Sequence, residues 1–223
     1  MDDGHPADYR PSPGEIDRMS WLKDFAVIAS IGAAFTGAFL ILLDNRRLML
    51  ATLALQYVFV AWLVSSSLPL QVAAAKLVAG LLTCAIIAVA LTNIGWTGQL
   101  LLPQTIPSGM IFRAIALCLV LLAALGLGAD IWTALPKISR DAGYGATFLI
   151  AMGLLQLGLQ EETVKVAVGL LTTISGFEVA YTTIEPSLAV MALLAAVHLG
   201  IAVVASYLLL IGGDERSGSE GQS

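Results

Sequence analysis

Four polar residues stand alone in long apolar runs, and their chemistry is that of proton carriers. Glu178 lies in Ile174-Ser175-Gly176-Phe177-Glu178-Val179-Ala180-Tyr181, and His198 in Ala195-Ala196-Val197-His198-Leu199-Gly200. Lys76 lies in Ala73-Ala74-Ala75-Lys76-Leu77-Val78, and Gln56 in Leu53-Ala54-Leu55-Gln56-Tyr57. A charge near the centre of a bilayer costs at least ~2.5–3.5 kcal/mol, so it persists where it faces protein or water, often because it works there. A carboxylate beside an imidazole, both out of water, makes a proton relay, because burial draws their protonation equilibria together. Each residue also has a plain structural reading. Lys76 has a stem long enough to snorkel, His198 suits an interhelical hydrogen bond, and Gln56 suits helix–helix adhesion. Glu178 is the hardest to dismiss, since a short acid cannot reach far. Three more ionisable residues are secondary candidates. Arg113 and Asp130 sit near opposite ends of one apolar run, and Lys165 in the first turn of another. There they can snorkel or be capped.

The four form a pattern. Gln56 and Lys76 are 20 residues apart, and so are Glu178 and His198. Each pair straddles a short turn. Sliding the chain by 122 residues places Gln56 on Glu178, Lys76 on His198, and the turn at Ser65 on the turn at Ser187. Identity over this window is no more than shared composition gives, so the coincident polar positions carry the signal. They suggest two parallel three-helix repeats joined by a central helix, a known transporter arrangement. Counting about 1.5 Å per helical residue from the turn, Glu178 lies about 8 Å and His198 about 16 Å inside, an offset that side chains and one or two waters can bridge.

The elements that must hold these residues are membrane spans. A helix needs roughly 20 apolar residues to cross a ~30 Å hydrocarbon layer. Seven stretches qualify: 26–43, 48–66, 69–92, 110–132, 144–160, 163–183 and 187–211. Asp44-Asn45-Arg46-Arg47 is too charged to stay in lipid, and Pro69 and Pro186 mark turns that start new helices. The fifth stretch is short and carries Gln156 and Gln160; without it the count falls to six and the C-terminus changes side. The domain reading is a polar N-terminal tail over 1–24, a first repeat over 25–92, and an interfacial loop with linking helix over 93–143. A second repeat over 144–211 and a disordered C-terminal tail over 212–223 complete it. Residues 93–109, with Trp96, Pro103 and Pro107, read as a loop near the headgroups.

Composition agrees. Of the 223 residues, 58% are hydrophobic and only 12% charged, about half the charge of an ordinary soluble domain. Mean hydropathy is +0.87. One soluble core cannot hide so much apolar surface, so the fold class is an all-α integral membrane protein. Net charge is −5, but the acids sit mostly in the tails. No basic run points to nucleic acid. The polar start, with Asp2, Asp3 and Asp8, is no secretory signal. Cys84 and Cys118 each lie in an apolar run without metal-ligand spacing and read as apolar fillers. No HExxH, GxSxG, haem or iron–sulfur motif occurs, so no catalytic residue, cofactor or metal is expected. The other histidine, His5, lies in the tail and reads as solvated.

The segment Arg46-Arg47-Leu48-Met49-Leu50 followed by Leu53-Ala54-Leu55-Gln56 resembles the small K-type membrane subunit of respiratory complex I. So does Gly176-Phe177-Glu178 followed by Ala195-Ala196-Val197-His198-Leu199-Gly200. The duplicated seven-helix form resembles component E of the group 4 membrane-bound hydrogenases, of formate hydrogenlyase type. The resemblance covers the second and third spans and, more clearly, the sixth and seventh. It implies a proton path in which Glu178 stands for the family's first intramembrane glutamate. His198 stands where the family has its second, and Gln56 and Lys76 replace both acids in the first repeat. The spacing is also shorter than the family's. It further implies antiporter-like and redox subunits as partners, the cell inner membrane as location, and no redox centre on this chain. Its orientation puts the N-terminus outside and Arg46, Arg47, Lys165 and Arg216 inside; basic residues alone, five against four, do not decide. The small-residue faces at Gly32, Ala33, Ala34 and Gly37, and at Gly126 and Gly128, suit packing against such partners. From the residues themselves, a small secondary transporter and a non-transporting assembly or anchoring subunit stay open.

Overall fold

Asn45 sets the first corner of the chain. Its side-chain oxygen accepts the backbone N–H of Arg47 at 3.0 Å, and its carbonyl accepts that of Met49 at 2.9 Å. This N-cap lets one helix stop at Leu42 and the next begin at Arg46. The computed structural model describes residues 13–65, 69–94, 108–134, 140–184 and 187–220. Among the described residues there are seven α-helices and no strands: α1 (Pro13–Leu42), α2 (Arg46–Ser65), α3 (Leu70–Ile94), α4 (Ser108–Ala134), α5 (Arg140–Leu159), α6 (Thr163–Ile184) and α7 (Leu188–Glu220). Backbone carbonyls of Pro69, Glu162 and Ser187 accept the first-turn N–H groups of α3, α6 and α7. Six helices are long and apolar enough to cross a membrane, and α1 contributes the apolar stretch Ala26–Leu42. That stretch covers about 26 Å, the short end of the range for a span.

Three ion pairs fix the helix directions. Asp44, after α1, accepts Lys165 at 2.8 Å from the start of α6 and Arg113 at 3.1 Å from the start of α4. Arg46, at the start of α2, meets Glu162 at 2.7 Å. The starts of α2, α4 and α6 therefore share one end of the bundle with the end of α1. Those of α3, α5 and α7 share the other. The fifth helix crosses, and Gln156 is accommodated by burial, its amide donating to the Lys165 carbonyl at 3.1 Å. Like helices lie side by side: α1 touches α5, α2 touches α6 and α3 touches α7.

Several boundaries differ from the sequence reading. α1 begins at Pro13, inside the expected 1–24 tail, because proline opens a helix well and no second proline follows before Leu42. α7 continues to Glu220, through the expected 212–223 tail. Gly212 and Gly213 weaken a helix by about 1 kcal/mol each but do not block it as proline does. α5 starts at Arg140 instead of Tyr144, with Asp141 in its first turn where the helix dipole favours an acid. α3 reaches Ile94 and α4 begins at Ser108, so the rims of the expected 93–109 loop are helical. Residues 95–107, with Trp96, Pro103 and Pro107, lie outside the described residues, as does His5.

The small residues are spent inside the chain. Side-chain atoms of Phe59 on α2 lie 2.6 Å from where a Gly32 Cβ would stand, and those of Met152 on α5 lie 3.3 Å from that of Gly37. Ala33 is fully buried, and Gly128 takes the Tyr144 ring at 2.5 Å. Gly32, Ala33, Gly37 and Gly128 thus pack within the chain, whereas Ala34 is half-buried and the space at Gly126 is open. The backbones of α5 and α6 also come close: a Cβ on Gly176 would lie 2.7 Å from the Ile150 nitrogen and 2.8 Å from the Ala146 oxygen.

Two apolar clusters form the interior. One gathers Leu53, Ile87, Leu91, Val168 and Leu171, towards the Asp44 end. The other gathers Val60, Leu63, Leu149, Val179 and Met191, towards the opposite end. Outside, Ile31, Phe35, Val78, Leu119, Leu193 and Val203 are exposed, and α4 buries little besides Ala124 and Gly128. An apolar girdle this broad is incompatible with water. The protein is a multi-pass helical membrane protein whose outer face meets bilayer lipid.

Candidate functional site

Helix geometry sets the depth of each polar residue between the two apolar clusters. Lys76 is six residues past the start of α3, and Glu178 six before the end of α6. Both therefore lie about 9 Å from the same end of the bundle. His198, Ser175 and Gln56 lie about 14–15 Å from that end by the same count. These side chains are deeply buried: Gln56 is 1% exposed, Lys76 3%, and Glu178 and His198 0%.

Lys76 is the hub. Its ammonium forms an ion pair with the Glu178 carboxylate. It also lies 3.2 Å from His198 Nε2 and 3.4 Å from Nδ1. The Tyr57 ring faces it with its centroid 5.6 Å away, within cation–π range. Tyr57 in turn meets the His198 ring edge-on at 5.9 Å. Gly80 makes room for this aromatic wall, since a Cβ there would lie 2.5 Å from the Tyr57 ring.

The imidazole tautomer follows from its partners. His198 Nδ1 stands 2.8 Å from the Leu194 carbonyl, which only accepts, so Nδ1 carries the proton. Nε2 then offers one lone pair, and two donors face it, Lys76 Nζ and the Ser175 hydroxyl, each at 3.2 Å. The arrangement is a short chain of polar contacts from Glu178 through Lys76 and His198 to Ser175. The sequence spacing left an offset between Glu178 and His198 to be bridged by side chains and one or two waters; in the structure the Lys76 ammonium from α3 touches both. Glu178 Oε1 and both amide atoms of Gln56 are buried without a hydrogen-bond partner among the described residues.

A crevice of about 260 Å³ opens on this hub. Gln71, Val72 and Ala75 of α3 form one wall, Leu188, Met191, Ala192 and Ala195 of α7 the other, and Lys76 and Glu178 line it too.

The secondary candidates lie elsewhere. Lys165 and Arg113 belong to the Asp44 cluster at the other end, with Lys165 also 3.8 Å from Glu162. Both are paired across helices instead of snorkelling alone. Burial opposes ionisation of Asp44, but Lys165 and Arg113 outweigh it and hold its carboxyl below the ordinary value. Asp130 is exposed near the end of α4, away from the hub. Ser175 and Tyr57 were not singled out from sequence. Ser175 had a visible signal, one turn before Glu178 on the same helix face, and Tyr57 simply adjoins Gln56. Among the described residues no three His, Cys, Asp or Glu side chains are grouped to hold a metal ion. Comparison of the chain with protein-family models, with curated proteins and with solved structures finds no match.

Proposed function

We propose that this chain is a membrane subunit of a proton-translocating redox complex, hydrogenase- or complex I-like, in the cell inner membrane. It packs against antiporter-like and redox subunits and carries no redox centre itself. The observation that supports this reading is the Lys76–Glu178 ion pair, buried in the bundle and touching His198. A buried ion pair is a poor stabiliser compared with apolar residues of the same volume, so stability gives no reason for it.

The proton steps balance. A proton arriving on Glu178 neutralises the carboxylate and frees the Lys76 ammonium. The ammonium gives a proton to His198 Nε2, leaving an amine and an imidazolium. The amine then takes the proton from Glu178, which restores the ion pair. One proton has moved from Glu178 to His198, whose Nε2–H now donates to the Ser175 hydroxyl. Gln56, at the depth of His198, can hydrogen-bond water on such a path but takes up no proton itself.

The test begins with extraction of the native protein in mild detergent and identification of what accompanies it. Antiporter-like and redox subunits are the expected companions. In that complex, Glu178→Gln cuts coupled proton transport by at least about tenfold while assembly persists, the scale of losing a positioned acid–base group. Unchanged transport would leave the residue a helix-pairing role in an assembly or anchoring subunit. A small secondary transporter is the second reading, favoured by the crevice that reaches the ion pair. Such a protein would come out of the membrane alone, and the isolated chain in vesicles would carry the activity.

A further inference from the structure

We propose that the crevice between α3 and α7 is a water-filled vestibule, open only at the end of the bundle where those two helices begin. Its occupant is water, together with the small hydrophilic cations that water carries, and its floor is Glu178. The inference deepens the proton-transfer reading by giving the path a side, but the access it describes does not depend on turnover.

Three observations carry it. The first is Glu178 Oε1, an acceptor without a donor among the described residues, on a fully buried side chain that lines the crevice. Covering it with a lipid chain would leave that acceptor unpaired at a cost of about 1–3 kcal/mol or more, whereas water satisfies it. The second is size. At ~30 Å³ per molecule, the roughly 260 Å³ crevice holds about eight waters. Gln71 stands at its exposed rim, and Lys76 and Glu178 line the same space. The third is the closure beyond the hub. There Ile87 of α3 and Ala202 of α7, both fully buried, belong to one apolar cluster. The Ser206 hydroxyl also donates to the Ile86 carbonyl at 3.3 Å. The Tyr57 ring packs edge-on against His198 and shares that apolar cluster with Leu53.

The test uses thiol accessibility in sealed vesicles of the full chain. Cys118→Ala is the background, with buried Cys84 retained. Ala195→Cys places a thiol about 10 Å down the α7 wall, seven residues past Leu188. Glu161→Cys, exposed in the α5–α6 connection, reports the opposite end and calibrates sidedness internally. The native Cys118, exposed on α4, is the lipid-facing control. A charged, membrane-impermeant methanethiosulfonate reacts with the thiolate, which needs water. Ala195→Cys should react at least about tenfold faster than Cys118, and only from the side on which Glu161→Cys is silent. Reaction from the Glu161 side, or from both sides, overturns the one-ended vestibule. Labelling by a lipid-soluble maleimide alone means that lipid fills the crevice, and also overturns it. Ala75→Cys on the facing wall repeats the measurement if the first variant does not fold. Normal labelling combined with an inert Glu178→Gln in transport would retain the vestibule and remove the proton-transfer reading.

Discussion

Replacing Lys76 with methionine leaves Glu178 as an uncompensated carboxylate in the bundle. The two side chains are 2% and 0% exposed, so neither retreats to water without moving a helix. Unit charges ~4 Å apart interact by about 4 kcal/mol at an effective dielectric constant near 20. Removing one partner of a buried pair typically costs about 3–5 kcal/mol, while replacing both with apolar residues is near neutral. Lys76→Met and Glu178→Leu should therefore each destabilise by about 3–5 kcal/mol, and the double variant by no more than about 1 kcal/mol. On these figures the coupling energy from this cycle should be at least about 5 kcal/mol. That figure discriminates, because neutral interhelical hydrogen bonds in membranes average about 0.6 kcal/mol and reach about 1.7 kcal/mol. Equilibrium unfolding in mixed detergent micelles measures all four corners. Single losses that add, with coupling below about 0.5 kcal/mol, would mean that the two groups do not face each other as an ion pair.

Three other outcomes test separate parts of the structure. Thr172 is fully buried and its hydroxyl has no partner among the described residues; Thr172→Val should be neutral or stabilising by up to about 1 kcal/mol, and a clear loss would point to a bound water there. Gly176→Ala should cost about 1–3 kcal/mol by pushing α5 from α6, whereas Gly158→Ala, with no atoms near its Cβ position, should raise stability by up to about 1 kcal/mol; thermal melts in detergent compare the two. Because the Asp44 carboxyl is held below its ordinary value, its stabilisation is complete above that value, roughly pH 4, and fades as pH falls through its own lower one. Asp44→Asn should flatten the melting temperature against pH in that acid window, by under ~1 kcal/mol since Asp44 is 68% exposed; an unchanged acid limb would refute the clamp.

Much of the architecture is legible in the amino-acid sequence. Bilayer thickness turns an apolar run into a span, and Asn45, Pro69 and Ser187 mark the corners through backbone chemistry that acts within a few residues. The same local rules give the depth of Glu178 and Lys76, since rise per residue is fixed. They also flag both residues, because charge in lipid is costly whatever lies beside it. Helix ends at Pro13 and Glu220 were less legible, since polar residues without proline neither forbid nor require a helix. Spacing along a helix gives height and face but never the neighbour across the gap. Tertiary packing decided that Lys76 of α3 reaches Glu178 of α6 and His198 of α7, and that Asp44 gathers Lys165 and Arg113 from two other helices. It did so through contacts such as Gly176 against the α5 backbone and Tyr57 against Gly80, which set which helices meet and how closely. Those approaches depend on shape summed over many side chains at once, and no single stretch of sequence contains it.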